Sequence, residues 1–270
     1  MSEDRIDNPV VQGDLVIGAE VSSLEAQNSS VLSLVFAEGQ RPDVTALAAL
    51  AEASLLRAPV SRFVISHRPP PDEGWAELLA SGLTFDCAGL NPAPSAFSPA
   101  GGALLGLEQQ PIGEAISLSP GPHLAEAMGM LPVVRVLAGL GAQLAAMPGV
   151  SAVCWNPARC WMPPAYFCKV VDNWLADGPF PALGLTSLER DAEGSIISVG
   201  LALLIGQELR FATDPKLVPA DIARIAVRLI HALIETGPLS AQHSFLGPDR
   251  ETLLVTPNLP GTQLEVTIQR

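Results

Sequence analysis

Residues 219–238 read PADIARIAVRLIHALIETGP and carry the clearest structural pattern in the chain. Apolar side chains recur every three or four positions, so they line one side of a predicted α-helix. Pro219 suits the first helical turn, and Gly237-Pro238 ends the helix. The inward-facing side chains are those of Ile222, Ile225, Ala226, Leu229, Ile230 and Leu233. Because this apolar side must be covered, the helix predicts a sheet or a second helix against it.

Strand patterns flank this helix along the second half of the chain. They alternate apolar and polar residues or form short apolar runs, and Gly-containing turns separate them. The predicted strands are 152–155, 183–189, 195–204, 209–212, 253–256 and 264–268, with a turn at 190–194 and another helix starting at Pro163-Pro164. The second half therefore has the order β-α-β-β-β-α-β-β.

The first half is less regular but has the same ingredients. Predicted strands are 31–37, 62–66, 84–90, 103–107 and 114–118. Predicted helices run from Pro42-Asp43 to a break at Pro59, over 75–80, and from Pro132 to Pro148-Gly149. Residues 91–99 form a loop, because three prolines prevent a regular ladder.

Strand pairs interleaved with helices predict an α+β fold with antiparallel-rich sheets and helices on one face. The order also allows two ferredoxin-like halves packed together. We divide the chain into a polar N-terminal tail (1–28), a first α+β half (29–148) and a second α+β half (149–270), which together form one compact body.

The charge balance excludes several classes of protein. The 270 residues contain 28 acidic and 15 basic side chains, so the formal net charge is −13, yet only 16% of positions are charged and 48% are hydrophobic. This balance argues against disorder and against a nucleic-acid-binding protein, which needs a basic surface. The N-terminal residues lack the pattern of a signal peptide, and four cysteines are too few for a disulfide scaffold. We therefore expect a cytoplasmic protein.

Residues 128–147 (MGMLPVVRVLAGLGAQLAAM) are long enough to span a membrane. Arg135 and Gln143 interrupt the stretch, and its apolar positions repeat with helical spacing. A buried helix of a soluble protein, with no membrane association, is the prediction.

Three cysteines, Cys154, Cys160 and Cys168, lie close together in sequence, and Cys87 is remote. Their spacing lacks the tight pair that structural zinc sites use, so we predict buried structural thiols and neither a metal nor a cofactor.

Two segments combine side chains that suit a ligand. In 119–126 (SPGPHLAE), His123 and Glu126 are one turn apart at a helix start and could share a proton. In 154–164 (CWNPARCWMPP), a strand leads into a helix, so backbone N–H groups point into a cleft where Arg159 adds a cation. With Asn156 and Trp161, these residues form a predicted site for a small anionic ligand.

The same residues also have a structural interpretation, in which Glu126 caps a helix and the tryptophans anchor a proline-rich loop. The chain contains no G-x-S-x-G, H-E-x-x-H or phosphate-loop motif, so no catalytic residue is predicted. Whether the protein is an enzyme stays open, with the motifs favouring that it is not.

Several segments resemble a bacterial family known only as a domain of unknown function, best over residues 112–237. They are AISLSPGP (115–122), GVSAV (149–153), PAYF (164–167), PALGL (181–185), SVGL (198–201) and GQEL (206–209). The family has an Asp-Gly-rich strand where this chain has AQHSFLG (241–247). The resemblance implies a cytoplasmic α+β protein and supplies no catalytic residues.

Three functions follow as hypotheses. The leading one is a non-enzymatic binding protein whose acidic surface fits a basic protein partner, as in immunity-type proteins that neutralise cationic toxins. The second is a small-molecule site, enzymatic or not, between the 120–123 turn and the 154–164 loop. The third is a scaffold that self-associates through its strand edges.

Overall fold

The computed structural model of the protein describes residues 30–55, 62–96, 99–212 and 218–269. The tail predicted over 1–28 lies outside these ranges. Two β-sheets and several helices share the described chain, which confirms the α+β class. The helices are α1 (Val44–Ser54), α2 (Leu131–Ala145), α3 (Pro164–Leu175), α4 (Ala182–Leu185), α5 (Ala202–Ile205) and α6 (Pro219–Thr236).

The first sheet has eight strands in the order β2-β3-β4-β6-β1-β7-β8-β5. All neighbours are antiparallel except the parallel pair β5 and β8. The strands are β1 (Leu32–Phe36), β2 (Phe63–His67), β3 (Trp75–Ala80), β4 (Leu83–Ala88), β5 (Ala103–Leu104), β6 (Glu114–Pro120), β7 (Val150–Trp155) and β8 (Cys160–Met162). Residue 148, where the sequence analysis divides the chain, precedes β7, so this sheet draws on both sides of that division.

The second sheet has six strands in the order β12-β13-β14-β11-β10-β9. It consists of two antiparallel three-stranded units joined by the parallel pair β11 and β14. The strands are β9 (Ser187–Arg190), β10 (Ile196–Val199), β11 (Glu208–Phe211), β12 (His243–Leu246), β13 (Thr252–Pro257) and β14 (Gln263–Gln269). The order β-β-α-β-α-β-β-β differs from the β-α-β-β-α-β order of a ferredoxin-like unit, so ferredoxin-like halves are not confirmed.

One hydrophobic core contains side chains from both sheets and from α1, α2, α3 and α6. Strand β1 is buried along its whole length, and α2 packs on one face of the first sheet. Gly141 permits this close approach, because a Cβ atom there would lie 2.5 Å from Leu32 Cδ2. The six inward residues predicted for the 219–238 helix are all buried, which confirms that periodic pattern.

Some predicted elements were wrong. Residues 75–80 form strand β3 rather than a helix, because alternate side chains enter the core between β2 and β4. Residues 183–189 and 195–204 are only partly strands. Helix α4 covers the start of the first segment, and helix α5 covers the end of the second. Strand β12 was not predicted, and little of it is buried.

Helix α2 contains 15 residues of the apolar stretch 128–147. Across the residues that the structure describes, none of the helices combines the length and the apolar character that crossing a membrane requires.

Candidate functional site

The segment 156–162 joins the two sheets. Arg159 Nη2 lies 2.9 Å from both carboxylate oxygens of Glu189 on β9, and the Ser187 hydroxyl donates to the Ala158 carbonyl at 2.7 Å. Gly200 lies against Ala158, where a Cβ atom would be 3.0 Å from Ala158 atoms. The Arg159 cation is therefore neutralised by an inter-sheet ion pair in this structure.

Trp161 is fully buried on the opposite face of the first sheet from α2. It packs with Val35, Ala152 and Cys154 in a small separate cluster, and its indole Nε1 donates to the Gly101 carbonyl at 2.9 Å. This side chain anchors the loop before β5.

Asn156 fixes the start of β1. Its Nδ2 donates to the Ser30 carbonyl at 3.1 Å and to the Ser33 hydroxyl at 3.0 Å, while its backbone N–H donates to the Val31 carbonyl. Its buried Oδ1 has no hydrogen-bond donor among the described residues.

His123 and Glu126 are exposed in a 3-10 turn, Pro122–Ala127. The His123 ring nitrogens lie 3.5 Å from Thr84 Oγ1. Within the described residues no hydrogen bond or ion pair joins His123 to Glu126, so the predicted proton-sharing pair is not formed.

Two described cavities lie away from these residues. One of about 540 Å³ is bounded by the first half of α6 and the 248–252 hairpin, and one of about 180 Å³ lies between α1 and β2. Neither His123 nor Arg159 lines them. The structure does not bring the five predicted residues into one of these cavities, and the anionic-ligand site stays a prediction.

None of the four cysteines, all of which lie within the described residues, forms a disulfide. Burial raises the pKa of Cys87 to about 12 and that of Cys160 to about 11, and it also raises the pKa of Cys154. Thiols protonated at neutral pH are poor nucleophiles. Among the described residues no group of three or more His, Cys, Asp or Glu side chains is placed to hold a metal ion.

A different group of side chains meets on the hairpin of β3 and β4. Ser81 and Gly82 form its turn, and both have positive φ, as a two-residue type I′ turn requires. The resulting register places Glu77 directly opposite Asp86. Two carboxylates on neighbouring strands therefore share the side of the sheet that α2 does not cover.

Like charges in directly opposed cross-strand positions destabilise a sheet. The pKa of Asp86 is raised above 3.8, mainly by partial burial and then by the charge of Glu77, while His123 acts in the opposite direction. Glu77 accepts a 2.7 Å hydrogen bond from the Ser66 hydroxyl. The ion pairs of the described chain include neither carboxylate.

Aromatic rings border the two carboxylates. Trp75 precedes Glu77 by two positions on the same side of β3, and its Nε1 donates to Glu73 at 3.1 Å. The His67 ring lies 5.4 Å from the Trp75 ring, centroid to centroid. We call the surface formed by His67, Trp75, Glu77 and Asp86 the acidic face.

The sequence analysis missed the acidic face because it assigned 75–80 to a helix. The stretch LTFDCA alternates apolar and polar residues as far as Asp86, and the Ser-Gly pair at 81–82 separates it from WAELLA. A two-residue turn of this kind is a hairpin signal, and a hairpin centred on it places Glu77 opposite Asp86.

Asp86→Asn is expected to stabilise the protein at neutral pH by roughly 0.5 kcal/mol, because it removes a carboxylate held opposite Glu77. Since the folded-state pKa is raised, the unfavourable contribution is absent below 3.8 and develops as the pH rises through the folded pKa. Urea denaturation at neutral pH and near pH 3.8 should show this gain shrinking on acidification. Glu108→Gln, at an exposed carboxylate without an ion pair in the described chain, is the control and should change little. A gain that does not vary with pH would contradict the assignment.

Comparisons of the chain with protein-family models, with curated proteins and with solved structures found no match. The family resemblance over 112–237 therefore stays a prediction.

Proposed function

We propose that the protein is a non-enzymatic binding protein for a basic protein partner. The supporting observation is how the arginines are used. Arg41, Arg135, Arg159, Arg210 and Arg224 each form an ion pair with one or more carboxylates of the same chain. Their charges are therefore partly neutralised internally, while Glu77 and Asp86 belong to none of the ion pairs of the described residues.

Arg210 shows how far this internal pairing goes. It lies within 3.5 Å of carboxylate oxygens of Asp191, Glu193 and Glu265 on the second sheet. Among the described residues, no arginine or lysine forms an ion pair with Glu77 or Asp86 on the first sheet. A net charge of −13 then gives a field that attracts basic proteins and speeds their association.

The reactive groups support binding rather than catalysis. The buried thiols are protonated at neutral pH, and within the described residues no hydrogen bond to a carboxylate orients the exposed His123. Cysteines that form no disulfide also fit a reducing compartment, so we place the protein in the bacterial cytoplasm.

Salt dependence tests this function. The immobilised protein should retain a basic protein from a bacterial lysate, and the retained protein, once identified and purified, should bind directly. Raising the salt from about 0.1 M to about 1 M shortens the screening length from about 10 Å to about 3 Å, so this binding should weaken strongly. A purified partner that is acidic, or whose binding is insensitive to salt, would overturn the proposal.

A further inference from the structure

The opposed carboxylates of the acidic face create a site where a cation binds more favourably than at a single exposed carboxylate. Glu77 and Asp86 repel each other across the hairpin, and Asp86 is only partly exposed. A cation placed between them attracts both and removes their repulsion. Binding there is therefore favoured beyond what the net charge of the chain provides.

The neighbouring ring favours one kind of cation. The indole of Trp75 is held by its hydrogen bond to Glu73 and borders the carboxylates on the same side of β3. A guanidinium group is planar, stacks on an indole ring and pairs with a carboxylate through two parallel hydrogen bonds. An ammonium group is a compact charge that neither stacks on the ring nor pairs with a carboxylate through two parallel hydrogen bonds. The protein itself uses this contact elsewhere, since the Arg135 guanidinium lies 5.0 Å from the Trp174 ring centroid.

The shape of the surface fits a polypeptide segment. Small residues lie beside the carboxylates on one part of this side of the sheet, since Ala88 pairs with Trp75 and Ser119 pairs with Asp86 on β6, while His67 lies opposite Glu77 on β2. This gives a broad sheet surface, and the described cavities lie elsewhere. An extended chain can lie across such a surface and present alternate side chains to it.

We propose that the acidic face is the docking surface for an arginine-containing segment of the basic partner, with a guanidinium group between the Trp75 ring and the carboxylates of Glu77 and Asp86. This inference rests on the proposed function. It adds the position of the docking surface and the chemical group that the surface recognises.

The test measures binding of an oligoarginine peptide and an oligolysine peptide of equal length to the full chain. One variant is Glu77→Gln/Asp86→Asn. The control, Glu108→Gln/Glu235→Gln, removes the same charge from two exposed carboxylates outside the face. The face variant should weaken oligoarginine binding about tenfold, and the control should weaken it less than about twofold. Trp75→Leu, with its fold checked by circular dichroism, should reduce the preference for oligoarginine over oligolysine about threefold.

The failures of the two proposals are distinguishable. If both double variants weaken binding equally, or if Trp75→Leu keeps the full arginine preference, the acidic face is not the docking surface while the basic-partner function stands. If neither peptide binds in a salt-sensitive manner, the proposed function itself is overturned.

Discussion

Gly102→Ala is expected to lower the free energy of unfolding by about 3 kcal/mol, against about 1 kcal/mol for Gly101→Ala. Both glycines have positive φ, so alanine is strained at each. At Gly101 an added Cβ meets nothing within 4 Å, whereas at Gly102 it would lie 2.1 Å from the Arg159 carbonyl oxygen. The neighbouring position is therefore a matched control for the backbone strain alone.

Relief of this clash must separate β5 from β8. The Ala103 N–H donates to the Arg159 carbonyl at 2.9 Å, and the Leu105 N–H donates to the Trp161 carbonyl at 2.8 Å. Each lost hydrogen bond costs about 1 kcal/mol. Urea denaturation of the two variants measures the difference. Equal losses in Gly101→Ala and Gly102→Ala would show that the Arg159 carbonyl does not restrict this position.

Arg41→Ala is expected to lower the free energy of unfolding by about 3 kcal/mol, since it leaves two carbonyl groups without their donor and removes the buried partner of the partly exposed Glu114. Arg41 is 8% exposed, and its guanidinium donates to the carbonyl groups of Gly89 and Ala93, the latter at 3.0 Å. Its Nε lies 3.2 Å from Glu114 Oε2, although it is not aligned for a hydrogen bond. Without it, the carbonyl groups of Gly89 and Ala93 lose these donors, and the 89–96 loop keeps only its other hydrogen bonds, such as that from the Asn91 N–H to the Pro42 carbonyl.

Acidification should reduce the difference in the free energy of unfolding between wild type and Arg41→Ala. The hydrogen bond from Arg41 and that from the Gly39 N–H lower the pKa of Glu114 below 4.5. The pair therefore stabilises the fold above 4.5, and this contribution is lost as the pH falls through the lowered pKa. Arg41→Lys keeps the charge but not the planar set of donors. Its free energy of unfolding should lie between those of wild type and Arg41→Ala. A loss under about 1 kcal/mol in Arg41→Ala would contradict the structural role.

The elements that the sequence predicts correctly are those whose pattern is long. Helix α6 has eighteen residues of one period, and α2 is bounded by Pro132 and by Pro148-Gly149. Over the six residues of β3 the period is ambiguous, because alanine, glutamate and leucine are good helix formers. Pairing with β2 and β4 makes these residues a strand, and the pattern of residues 75–80 alone does not include those neighbours.

The predicted site residues show the same limit. The segment 154–164, which contains Arg159 and Trp161, has an unusual composition that identifies a junction between a strand and a helix. The partners of these two side chains, Glu189 and Gly101, are distant in sequence. The opposition of Glu77 and Asp86 depends on a two-residue turn and was therefore within reach of sequence reasoning. The buried position of Arg41 was not, because the carbonyl groups that surround it follow from tertiary structure.

The parallel pairing of β11 with β14 constrains the order of folding events. Strand β14 follows all the others in the described chain, yet it lies at the centre of the second sheet between β13 and β11. Until it inserts, the β9–β11 and β12–β13 units each present an unpaired edge, which can associate with other chains. The first sheet needs no strand beyond β8, so its pairing can be complete earlier in synthesis. The protein is therefore most prone to associate with other chains during folding in the interval before β14 is inserted.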